Sequence, residues 1–499
     1  MSDRPGPSQS NSPFIRHVTR PRVAGIALAA LTALVIGCGG GGGGVGTNGT
    51  GSVNFGSVTG FGSVFLDSVR YDDSRAVVQI ESASGFDAAE VKLGHRIGVE
   101  STGNADDTTG SAGVASRIEL DPSLTGTIQS ISGTGFTLLG QTVVTNDGSD
   151  TDHPVTVYDG FTTAGFAGLT TNSAVEVHAL REVNGTSVTY YATRIEAKAA
   201  LPFVRIAGEI QSMSGKQFAL GLLTVDGSAA TVLPSGTTLA NGQSVVVYAA
   251  PPVGNGVLAA TKIRVRARAT SQAAGAYVSG LISSFQPAQQ TFRLNGLEIH
   301  YANAELSLKG ATLGANLYVR VKGGLDASGA FFNATKVQVR KSDEHDAEVH
   351  GTVSADVAAS GATLRTLTIR DTLVQVPGGL SLSGCGSPLP GSYVEVHGDV
   401  NGQGIRASSV ECKASGSVPA TATREIDGDV SALNPDAKTF NLVNLTLGGT
   451  SGSTVAVRYT DTTFFRDPAS SVLVNGKSVE IEGFQDGATF VATKVKLNN

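Results

Sequence analysis

Apolar and polar residues alternate along most of this chain in short runs, and each run follows a glycine, an asparagine or a small polar cluster. Val175 and Val177 follow Asn172, Val245 and Val247 follow Gly242, Val394 and Val396 follow Gly391, and Val479 and Ile481 follow Gly476. Ile97 and Val99 after Gly94, and Leu317 and Val319 after Gly314, repeat the arrangement. A period of two places such residues on one face of a strand, and glycine or asparagine supplies the positive φ of a tight turn.

These strands recur as a set. Each set opens with an apolar residue, any residue and glycine: Val58-Thr59-Gly60, Leu124-Thr125-Gly126, Ile206-Ala207-Gly208, Val278-Ser279-Gly280, Val349-His350-Gly351 and Ile426-Asp427-Gly428. A β-branched residue follows two positions later as Ile128, Ile210, Ile282, Val353 and Val430, while the first copy departs from this, with Gly62 there and Val64 and Phe65 after it. A Phe-x-Leu step comes next (Phe136 and Leu138, Phe218 and Leu220, Phe292 and Leu294, Phe440 and Leu442), with Leu367 and Ile369 in its place in the fifth copy. Each set closes on Ala-Ser/Thr-x-Ile/Val: Ala115 to Ile118, Ala192 to Ile195, Ala260 to Ile263, Ala334 to Val337, Ala407 to Val410 and Ala492 to Val495.

Self-similarity at this period means tandem modules. The expected boundaries are 58–121, 122–200, 201–270, 271–343, 344–418 and 419–499. Units of this size cannot cover both faces of an open sheet, so the predicted fold class is all-β: six small barrels, OB-like, or compact sandwiches. Closure also removes the exposed strand edges that would let tandem modules aggregate.

Composition agrees with an all-β chain: 64 of 499 residues are glycine, and tryptophan is absent. A net charge of -6 and the lack of a tryptophan stacking platform argue against nucleic acid as a partner. Arg16, Arg20 and Arg22 precede an uncharged run from Val23 to Gly37, the length of a signal-peptide core. Val35-Ile36-Gly37-Cys38 then reads as a lipobox, with residues 1–37 removed and Cys38 lipidated. Residues 38–57, glycine-rich, are expected to form a flexible tether. By resemblance to bacterial lipoproteins generally, Gly39 after the cysteine is unlike the acidic residue that retains them at the inner membrane, which implies the outer membrane of a cell envelope.

Together the lipobox, the glycine tether and modules closing in Ala-Thr-Lys-Ile resemble an uncharacterised family of bacterial lipoproteins built from a repeated domain of unknown function. Thr59-Gly60-Phe61-Gly62-Ser63-Val64-Phe65 is similar to the opening of a first copy in such proteins. The resemblance spans the mature chain and implies no catalytic residue.

Candidate chemistry is sparse. The position six beyond each turn residue holds Glu100, His178, Tyr248, Arg320, His397 and Glu482, merely polar, so His178 and His397 read as solvent-facing strand residues. Lys262, Arg264, Arg266 and Arg268 share a strand face, either a patch for an anionic polymer or a solvated face like that of Arg194, Glu196 and Lys198, or of Lys494 and Lys496. Asp147, Asp150 and Asp152 are the nearest approach to a calcium set but lack EF-hand spacing, and a solvated hairpin loop is the plainer reading. Asp343-Glu344-His345-Asp346 and His350 could offer ligands but fall where a polar linker is expected. Cys385 and Cys412, the only other cysteines, predict a disulfide in an oxidising compartment, the alternative being a free buried Cys412.

No nucleophile elbow, phosphate loop or metalloprotease pair occurs. The reading is therefore a non-catalytic envelope lipoprotein without cofactor, anchored to the membrane by its lipid, its modules a binding or spacing array for an envelope polymer or protein. The rival is a polysaccharide-active enzyme with an acidic pair at a module junction, and a third possibility is a calcium- or anionic-polymer-binding module.

Overall fold

A computed structural model describes residues 52–102, 113–184, 187–251, 256–266, 275–326, 331–341, 347–358, 364–386, 389–414, 417–418, 420, 422–449 and 452–498. Residues 1–37, Cys38, the tether up to residue 51, Arg268 and the stretch 343–346 lie outside them.

The second module shows the plan. Its opening strand Leu124–Ser132 pairs antiparallel with Gly135–Leu138, which pairs with Gln141–Val144. That third strand runs parallel to the closing strand Ser187–Ala197, which is antiparallel to the fourth strand Ala174–Asn184, and the fourth returns to the first. The ring order is first, second, third, closing, fourth, first, a closed OB-type barrel rather than a sandwich. A short strand, Val157–Asp159, lies parallel beside the far half of the closing strand. The other five modules repeat this ring.

The alternating residues fill the barrels. Phe136, Phe218, Phe292 and Phe440, the leucines two places on, and Leu367 and Ile369 are all buried. The turn residue locks the fourth strand onto the first in every copy. Asn172 N–H donates to Ile128 O and Ile128 N–H to Ser173 O, and Gly476 does the same with Val430. In the fourth module Asn316, not Gly314, has the positive φ and bonds Ile282 O, so Lys322 rather than Arg320 is the counterpart of His178.

In the first module Gly94 bonds Val58 O, which makes Val58 the counterpart of Ile128 and Asn54-Phe55-Gly56 the true opening. The strand accordingly spans Ser52–Phe61 and pairs with Arg96–Thr102, so residues 52–57 are sheet and not tether.

The closing signature has a physical cause. Each copy carries a β-bulge, two residues facing one, between positions such as His178 and Ala179 of the fourth strand. The signature Ser or Thr is the extra residue. Its hydroxyl donates to the carbonyl opposite in all six modules: Ser116 to Glu100, Thr193 to His178, Thr261 to Tyr248, Thr335 to Lys322, Ser408 to His397 and Thr493 to Glu482. The alanine before it is buried, and the branched residue two after it returns to the core.

The described residues, from 52 onward, form one compact unit in which the first module touches each of the others. Its opening strand pairs parallel with the opening strands of the fourth module (Phe55 with Val278) and the fifth (Gly60 with Glu348). A Cβ on Gly60 would lie 1.7 Å from Glu348 O, so only glycine permits that approach. Asp67 enters the fourth module, where its side chain accepts from Ser279 and Tyr318 and its carbonyl from Arg320. His95, Lys92 and Leu93 meet the second module, Glu81 and Ser82 the third, and Glu90 the sixth. The cores of modules one and five merge, as do those of two and three. Cys385 and Cys412 are joined by a disulfide in the fifth module.

Candidate functional site

The outward faces of the fourth and closing strands were expected to meet solvent, and the assembly buries many of them instead. His178 and Tyr248 are fully buried, and Arg194, Lys262, Arg264, Glu482 and Lys494 are nearly so. His178 Nδ1 accepts from Arg96 N–H at 3.0 Å, and its ring lies 4.4 Å from that of His95. His397 keeps a side chain 42% exposed. Copy-to-copy variation at these positions follows from geometry: each module turns the same face toward a different part of the first.

Lys262 and Arg264, read as a solvated or polymer-binding stripe, both hold Glu81 of the first module, at 2.9 and 2.6 Å. Arg205 donates to Asp121 at 2.9 Å, and Arg266 binds the same carboxylate oxygen. Glu81, Asp121, Arg205, Arg264 and Arg266 line a cavity of about 440 Å³ where modules one to four converge. Five arginines (96, 181, 205, 264, 266) face three carboxylates (Glu81, Glu119, Asp121) there. Arg96 has no carboxylate partner among the described residues: its guanidinium donates to Ser57 Oγ at 3.1 Å and to Ser279 O at 2.9 Å. Arg205 Nη1 is buried without a hydrogen-bond partner among the described residues.

Two residues apart on one strand end, Glu119 and Asp121 differ in charge state. Burial, together with the charges of Asp121 and Glu81, outweighs Arg266 and Arg264 and pushes Glu119 up to about 7. Asp121 is buried too, but Arg266 and Arg205 hold it down at about 2. No sequence motif marked this pair, because the arginines that separate the two carboxyls come from the third module.

Three groups of ligand-bearing side chains occur among the described residues. Glu90, Asp371 and Glu482 already hold Lys494, with Arg466 on the first two, as a seam between modules one, five and six. In the group of Glu425, Asp427 and Glu480, burial and mutual repulsion push Glu425 up to about 9 and Asp427 to about 6, and Lys496 takes Glu480 at 2.5 Å. Glu348, His350 and Glu395 form the third group, on the fifth module.

The calcium candidates do not form such a group. Asp147 accepts from Ser149 N–H, Asp150 from His153 at 2.6 Å and from Asp152 N–H, while the Asn146 amide ties the loop through Asp150 O and His153 O.

Residues 125–196, 207–264 and 427–496, within the second, third and sixth modules, match a family described as a domain of unknown function (DUF5666). The chain carries tandem copies of DUF5666. The DUF5666 copies here share the ring and the hydroxyl-capped bulge with the first, fourth and fifth modules. No curated protein matches the chain. Among solved structures, a copper(II) form of CusF from Escherichia coli is 14% identical, with a TM-score of 0.13, and the match covers 15% of this chain and 92% of that one. The Drosophila protein Unr CSD456 is also 14% identical at a TM-score of 0.13, covering 44% and 96%. A Streptococcus pneumoniae multidomain protein with nucleic acid binding domains is 11% identical at a TM-score of 0.12, covering 42% and 73%.

Proposed function

We propose that this protein is a non-catalytic lipoprotein of the bacterial cell envelope, anchored at the outer membrane through a lipidated Cys38, whose six modules form one binding scaffold for an anionic envelope polymer. The carrying observation is the cavity between modules one to four, where five arginines face three carboxylates, one of them half-protonated near neutral pH. Arginine in a partly dry cleft suits carboxylate or phosphate groups, since its fork bonds them in pairs. Modules that pack around the first favour binding over spacing, because a spacer needs its units in line. The mass of the processed chain tests the anchor.

Calorimetry of the mature chain with a short oligouronate and a neutral glucan of equal length tests the ligand class. The acidic oligomer should bind, and Arg96→Gln with Arg181→Gln should weaken it at least tenfold. Equal affinity for both oligomers, or for variant and wild type, would count against the reading.

The rival hydrolase has one specific support. Glu119 and Asp121 have the separated protonation states that an acid and a charged partner need. Oligouronate cleavage that Glu119→Gln abolishes while binding persists would establish the rival.

A further inference from the structure

Two residues of the opening strand and two of the fourth strand of the fifth module form a checkerboard on its outer face. Glu348 lies opposite His397, and His350 opposite Glu395, so each carboxylate has an imidazole across from it and another beside it. His350 Nε2 is 2.5 Å from Glu348 Oε1 and 3.7 Å from Glu395 Oε1. His397 Nε2 is 3.0 Å from Glu395 Oε1, and its Nδ1 is 3.8 Å from Glu348 Oε2. Ligand atoms around a tetrahedral zinc ion stand about 3.3 Å apart, given bonds of about 2.0–2.1 Å; one atom each from Glu348, His350 and Glu395 lies within 4.8 Å of the other two, while His397 turns a different ring nitrogen to each carboxylate and stands outside that set.

The set is held in place from outside the module. Gly60 and Phe61 pair with Glu348 and Val349, fixing the strand that carries two of the four side chains. Gly62 faces His350 so closely that a Cβ there would lie 2.3 Å from His350 Cβ, and the Phe65 ring meets the imidazole edge-on at 5.8 Å. The open side is wet: Glu348, Glu395 and His350 keep part of their surface, and His397 more. Lys413 competes for the site by holding Glu395 Oε2 at 2.8 Å.

We propose that Glu348, His350 and Glu395 bind a divalent late first-row transition ion, zinc by preference, on the outer face of the fifth module, with His397 at the rim of the site. An imidazole with two carboxylates favours zinc, copper(II) or nickel over calcium and magnesium, which prefer oxygen alone. No redox step is involved. The ion takes a lone pair from His350 Nε2, and the proton that Nε2 shares with Glu348 shifts to Nδ1 or passes to solvent. The site is separate from the arginine-lined cavity, so either can fail alone.

Isothermal calorimetry of the disulfide-intact full chain with zinc chloride, and with calcium chloride as control, tests it. Zinc should bind at one site per chain with micromolar or better affinity, and calcium at least a hundredfold more weakly. His350→Gln with His397→Gln should weaken zinc at least tenfold without loss of the strand circular-dichroism signal. Should that pair unfold, Glu395→Gln serves instead, with the same expected loss. Lys413→Ala should tighten zinc several-fold by freeing Glu395, a gain that general destabilisation would not produce. Wild-type zinc affinity in the histidine pair, or no heat with wild type at 100 µM zinc (roughly a hundredfold above the affinity proposed), would overturn the proposal.

Discussion

His95 holds a neutral ring between two modules. Its Nδ1 accepts from Lys92 N–H at 3.0 Å, which places the ring proton on Nε2, facing Glu196 at 2.9 Å. Burial, and then His178, push its pKa down to about 3, against the pull of Glu196. An unfolded His95 takes up a proton near pH 6.5, whereas the folded one does not. The stability this ring contributes is therefore complete above about pH 6.5 and is lost as pH falls through that value toward 3. Thermal melts should show wild type losing roughly 1.6 kcal/mol from this group between pH 6.5 and 5. His95→Gln, which keeps a donor for Glu196, should flatten that slope, and an identical slope in both proteins would contradict the assignment. His95 also marks where sequence legibility ends. Alternation gave the face of His178, Lys262 and Lys494, but it carries no information on what covers that face, and the partners Arg96, Glu81 and Glu90 lie far away in the chain.

Element by element, the closing strand was the most legible part, since its Ala-Ser/Thr-x-Ile/Val signature recurs and its alanine and branched residue are buried as alternation requires. The bulge itself was not legible, because an extra residue in a strand leaves no trace until the pairing partner is known. The hydroxyl explains why Ser and Thr alone occupy that position, and its worth depends on surroundings. Thr335 bonds Lys322 O at an exposed site, and Thr335→Val should cost about 0.5–1 kcal/mol in urea unfolding. Thr193 is buried and lies 2.7 Å from Gly94 O as well as 3.1 Å from His178 O, so Thr193→Val should cost about 2 kcal/mol. Equal costs would mean that the seam to the first module adds nothing. The shifted register of the first module has a similar lesson: Thr59-Gly60-Phe61-Gly62 resembles an opening, yet those glycines admit the fifth module's strand and its His350.

Across the described residues, from 52 onward, the first module is the element on which the others converge. Six repeats read in line suggest a string of independent units, and sequence order alone cannot say otherwise, because contacts such as Asp67 with Tyr318 and Glu90 with Lys494 span most of the chain. Convergence creates the arginine-lined cavity, the Glu119 and Asp121 contrast and the support under His350, none of which a single module possesses. Small-angle X-ray scattering on residues 41–499 tests this convergence most directly. Modules packed around the first predict a radius of gyration of about 23 Å, the value for a compact chain of that length. A value of roughly 45 Å, which six barrels in a row would give, would contradict it.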